Sequence, residues 1–159
     1  MIQQIIHSLQ RRRAMSRYAS CIPTGLHPLS RIRTAAVFLD FEERDWEDSK
    51  ARAEDFFKKH GIEVHFYYND FSSTNWYGGL KSSELNPDGI CEEDLFISLL
   101  DSTDFFIHFS AASSRAITKI GRVQLPKNVF DIVVNGADEQ KSSQIDSLRT
   151  IFDILSLIK

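Results

Sequence analysis

A chain of 159 residues, 42% hydrophobic and 26% charged, has the length and apolar content for one domain with its own core. No apolar run approaches the roughly 20 residues of a membrane span, so no transmembrane segment is expected. The net charge of −3 hides an asymmetry: residues 1–34 hold Arg11, Arg12, Arg13, Arg17, Arg31 and Arg33 and no acid (+6), while the other 125 hold 13 basic and 22 acidic groups (−9).

In chain order, MIQQIIHSLQRRRAMSRYAS places Ile2, Ile5, Ile6 and Leu9 at spacings of three and four, which predicts a basic amphipathic helix over residues 1–20. Pro23, Gly25 and Pro28 then mark a linker, 21–31, and a single α/β domain is expected over 32–159. TAAVFLDF reads as a strand buried on both faces, ending at Asp40. Asp45 to Gly61 has acids in its first turn, Lys58 and Lys59 in its last and a glycine stop, so it reads as a helix. IEVHFYYND, rich in β-branched and aromatic residues, reads as the second strand, ending at Asn69 and Asp70.

Beyond the connection DFSSTNWYGGLKSSEL, the spacing of Leu95, Phe96, Leu99 and Leu100 predicts a helix over ICEEDLFISLLDS. TDFFIHFSA reads as a third strand running to Ser110, and SSRAITKIG as one or two helical turns closed by Gly121. RVQLPKN and VFDIVVN read as strands about a turn at Pro126–Asn128, and apolar residues at 145, 148, 152, 155 and 158 predict a terminal helix. Alternating strands and helices imply a Rossmann-like three-layer αβα architecture with a mostly parallel open sheet of four to five strands, plus the basic N-terminal helix. Ligands of such sheets sit beyond the carboxyl ends of the strands. Asp40, Asp70, Ser110, Ser113, Ser114 and Arg115, with Trp76, Gly78, Gly79 and Lys81 of the long connection, are therefore expected on one rim.

Three stretches, NWYGGLK after the second strand, DFFIHFSA, and TKIGRVQLPKNVFDIVVN before the last helix, resemble a bacterial family of unassigned function, the domain-of-unknown-function family numbered 6913. The resemblance implies one small α/β domain of a cytoplasmic bacterial protein. It supplies no activity and no catalytic residue, and SAASSRA departs from the longer, more apolar connection of the family.

Each candidate site has a bland competitor. Gly78, Gly79 and Lys81 can meet an anion, yet no phosphate-loop fingerprint surrounds them, and an edge-covering turn with Trp76 and Tyr77 is the preferred reading. Asp40 and Asp70 suit a cation, but acids at strand ends commonly cap helices, Asp104 is expected at the opposite end, and no metal is assigned. Ser110, Ser113, Ser114 and Arg115 sit at an expected strand-to-helix turn, where backbone amides can hold an anion or simply be capped. His65 and His108 read as hydrogen-bonded strand histidines, and Cys21 and Cys91, without metal-ligand spacing, as free thiols.

The strongest signal is Arg11, Arg12, Arg13 and Arg17 beside an apolar face. The preferred bland reading is a helix laid across its own domain with its arginines in solvent; as a contact surface, residues 1–17 suit nucleic acid, a ribosome or a protein partner, with a weak membrane-surface contact or a transit peptide as competing readings. The expectation is a non-catalytic cytoplasmic binding or accessory protein without a cofactor. The alternative is a small-molecule or nucleotide-binding enzyme working at the rim.

Overall fold

The computed structural model describes residues 1–70, 89–135 and 142–159. Among them, five strands form one all-parallel sheet: β1 (Thr34–Leu39), β2 (Glu63–Tyr68), β3 (Leu95–Ser98), β4 (Thr118–Gly121) and β5 (Ile132–Val133), in the order β2-β1-β3-β4-β5. Helices α2 (Trp46–Lys59), α3 (Phe105–Ser113) and α4 (Gln144–Leu157) complete a three-layer α/β fold, preceded in the chain by α1 (Ile2–Tyr18).

The two cores follow from strand alternation. Ala35, Val37 and Leu39 of β1 and Leu95 and Ile97 of β3 face α2 and α4, meeting Ala53, Phe57, Leu148, Ile151 and Leu155. The intervening Ala36, Phe38 and Phe96 face α3, meeting Phe106, Ile107 and Ala111. Between α2 and α4 the rings of Phe56 and Phe152 stack with centroids 3.8 Å apart. Burial on both faces explains why β1 and β3 read as nearly unbroken apolar runs, while the edge strand β2 is only half-buried.

The middle of the chain departs from expectation. ICEEDLFISLLDS contains β3 rather than a helix, and TDFFIHFSA forms most of α3 rather than a strand. Both errors have one cause: α3 lies between the sheet and α1, so it is apolar nearly all round and shows no helical stripe, while a short buried strand has no alternation to show. SSRAITKIG likewise holds β4 instead of helical turns. Gly121 is a strand residue there, and a Cβ at that position would stand 2.1 Å from the Phe130 ring, so glycine is needed for contact rather than as a helix stop. RVQLPKN forms no strand beyond Gly121, Pro126–Asn128 is a single 3-10 turn, and β5 takes only two residues of VFDIVVN.

Helix α1 packs outside the three layers, on α3, with Tyr18 edge-on to Phe109 at 6.2 Å. The segment after it is tied along the N-terminal edge of the sheet. Ser20 N–H donates to Ala112 O (2.9 Å), Gly25 N–H to Ile117 O (2.9 Å), and the Thr24 hydroxyl to Asp131 (2.8 Å).

Candidate functional site

Strand order reverses between β1 and β3, because the chain leaves β1 toward β2 on one side and returns to β3 on the other. In open parallel sheets that reversal opens a crevice beyond the strand tails. Here a cavity of about 380 Å³ occupies it, lined among the described residues by Asp40, Glu42, Asn69, Asp70, Leu100, Asp101, Ser102, Asp104, Phe106 and Ile107. Asp40 and Asp70 are at this rim as expected. Asp104 joins them, contrary to expectation, because it is the N-cap residue of a helix that starts at the rim instead of a strand that ends there.

The same reversal moves the serine cluster away. Ser110, Ser113, Ser114 and Arg115 are at the far end of α3, and Arg115 N–H donates to Cys91 O ahead of β3, at the N-terminal edge of the sheet. They therefore share no mouth with Asp40. The Ser110 and Ser113 hydroxyls donate back to the carbonyls of Phe106 and Phe109, and Ser114 Oγ accepts from Ala116 N–H. Arg115 pairs with Glu92 at 3.1 Å, both side chains about half exposed. Trp76, Gly78, Gly79 and Lys81 lie outside the described residues.

Five carboxylates in one cavity oppose a phosphate and suit a cation. Much of this acidic end is engaged structurally. Asp40 Oδ1 accepts from Glu42 N–H (3.0 Å) and from the Asn69 amide (2.9 Å). Glu43 pairs at 2.6 Å with Arg122, which also donates to the carbonyls of Leu99 and Ser142. Asp45 is the N-cap residue of α2, but its side chain makes no cap bond there and accepts from Ile145 N–H (2.9 Å) and the Gln144 amide at the start of α4. Gln144, fully buried, holds both backbone groups of Asp40. Among the described residues no group of three His, Cys, Asp or Glu side chains is disposed to hold a metal ion.

A polar network lies on the α3 face of the sheet. His65 Nδ1 bonds Glu93 at 2.9 Å, Tyr67 donates to the same oxygen at 2.6 Å, and His65 Nε2 bonds Glu63 at 2.8 Å. Burial opposes the charge on His65, but the two glutamates outweigh it and raise its pKa. Burial and then the Glu93 charge push the Cys91 thiol well above its ordinary value, and burial brings Lys119 down to about 8. Cys91 is fully buried, so these groups form an interior network and not a nucleophilic centre.

The second concave region is basic. A groove of about 630 Å³ runs between α1 and α3, lined by Gln4, His7, Ser8, Arg11, Arg12, Met15, Phe105, His108 and Lys127, with no carboxylate among the described residues. The Arg11 guanidinium rests over the Phe105 ring at 5.1 Å. His108, expected in a strand, is on α3. Burial and then the Lys127 charge lower its pKa, partly offset by a hydrogen bond with the Pro126 backbone.

Only Ala14 of α1 is buried. Leu9, five residues earlier, lies about 140° round the helix, so the apolar stripe points away from the body. Ile2, Ile5, Ile6 and Leu9 are 74%, 56%, 47% and 49% exposed. Among the described residues none of Arg11, Arg12, Arg13 and Arg17 forms an ion pair with a carboxylate; Arg17 rests over Tyr18. The composition of residues 1–20 could reveal the charge of α1, but His108 and Lys127 reach the groove only through the fold. Comparisons of the chain with family models, curated proteins and solved structures find no match. No helix among the described residues is long and apolar enough to cross a membrane.

Proposed function

We propose that this protein is a non-catalytic docking protein that uses α1 to meet a polyanion, with RNA or the ribosome as the partner class. One observation carries the reading: among the described residues the four arginines of α1 form no ion pair with a carboxylate, although the rest of the chain is acidic. Cations that find no internal carboxylate are available for phosphates, and each phosphate neutralised releases a counterion. The rim supports the enzyme alternative less well. Its carboxylates repel phosphate groups, and its described residues offer no pairing of a nucleophile with a base.

The test is salt-dependent binding of the full chain to single-stranded RNA and to ribosomes. Four phosphate contacts predict a loss of about 50-fold between about 50 and 200 mM salt. The outward pair Arg13→Glu/Arg17→Glu is expected to lower affinity by about tenfold or more. Affinity that ignores both salt and charge reversal refutes the reading.

A further inference from the structure

The groove between α1 and α3 differs from a generally basic surface in that its basic side chains come from three separate elements. Arg11 and Arg12 come from α1, His108 from α3, and Lys127 from the 3-10 turn. Like charges gathered on one concavity repel one another, and the described lining contains no carboxylate to balance them. The Arg11 guanidinium carbon is 5.1 Å from the Phe105 ring centroid, a contact that positions the charge and uses none of its N–H donors on a carboxylate among the described residues.

The backbone adds an independent sign. Lys127 and Asn128 both have positive φ, 63° and 50°. Asparagine adopts this region readily, and Asn128 is further held through its side chain by the Gln124 amide. Lysine gains nothing local there, and glycine would adopt the same backbone without strain. A strained lysine at the wall of a cationic groove fits a position kept for its ammonium group rather than for its turn.

We propose that this groove is a binding site for adjacent phosphoryl groups, clamped between Arg11 and Arg12 on one wall and His108 and Lys127 on the other. The chemistry is common to a free oligophosphate and to a nucleic-acid backbone. The proposal deepens the polyanion reading and rests on it for biological context, but it uses body residues that the outward face of α1 does not. An anion in the groove offsets the Lys127 charge that disfavours protonation of His108. The groups facing that imidazole, His7, Arg11 and Arg12 from α1 and Lys127 from the turn, are all cationic or neutral, so binding takes up a proton and tightens as pH falls.

The experiment is calorimetric titration of the full chain with sodium tripolyphosphate and, in a second arm, with a short single-stranded RNA. One tripolyphosphate per chain is expected, weakened about tenfold or more by His108→Gln/Lys127→Met and unchanged by Arg13→Glu/Arg17→Glu. Lys127→Gly separates binding from folding: it relieves the backbone and keeps the fold, yet is expected to lose the same affinity. The His108 imidazole should titrate at higher pH when tripolyphosphate is present. Binding in the first arm assigns a free oligophosphate, and saturable binding only in the second, weakened by His108→Gln/Lys127→Met and by Lys127→Gly, assigns a nucleic-acid backbone. The proposal is overturned by no saturable binding in either arm, by binding that Lys127→Gly leaves intact, or by tripolyphosphate binding abolished equally by the Arg13/Arg17 reversal.

Discussion

The first turns of α3 separate two regions of opposite charge. Asp104, Phe106 and Ile107 line the acidic cavity at the strand tails, while Phe105 and His108 line the basic groove beneath α1. The acids near the cavity are largely committed to the fold: Asp40 fastens two strand-tail loops, Glu43 neutralises Arg122, and Asp45 caps α4. Among the described residues the arginines of α1 have no carboxylate partner. Charge engaged inside the fold contributes to stability, and charge left over is what a partner can use, so the groove and the outward face of α1 are the better place to look for function.

That contrast can be broken most directly at Arg122. It is 2% exposed and bridges Glu43 to the carbonyls of Leu99 and Ser142. Arg122→Ala should cost about 2–3 kcal/mol in urea unfolding, because it removes the buried end of an ion pair and leaves Glu43 and the carbonyls of Leu99 and Ser142 without their donor. A loss below about 1 kcal/mol would mean that the acidic end is not structural in the sense argued. Asp40→Ala is expected to cost less, about 1–2 kcal/mol by the same measurement, through the lost bonds from Glu42 N–H and the Asn69 amide. The smallest effect belongs to the basic side. Arg12→Ala/Arg13→Ala should change stability by less than about 0.5 kcal/mol while weakening polyanion binding. If this pair destabilised the protein as much as Asp40→Ala, the division between committed and available charge would fail.

The ends of the chain were legible because their signals are local. Acids, lysines and a glycine at the correct places of one turn announce α2, and the apolar spacing of Leu148, Phe152 and Leu155 announces α4. The centre was not legible in the same way. LFIS and FFIHFSAAS are short and wholly apolar or nearly so, and periodicity cannot distinguish a buried strand from a helix packed on both sides. That single exchange moved Ser110–Arg115 to the wrong end of the sheet and kept Asp104 from joining Asp40.

Composition and spacing by themselves determined an α/β domain, its first strand-helix-strand unit, its terminal helix and a basic leading helix, since each depends on contacts between near neighbours in the chain. Tertiary structure alone decided strand order, which end of α3 meets the strand tails, the outward turn of the isoleucine stripe, and the meeting of Arg11 with His108 and Lys127. Those relations join residues up to about a hundred positions apart. No local preference encodes them, because they are fixed only when the two apolar faces of the sheet are covered at once.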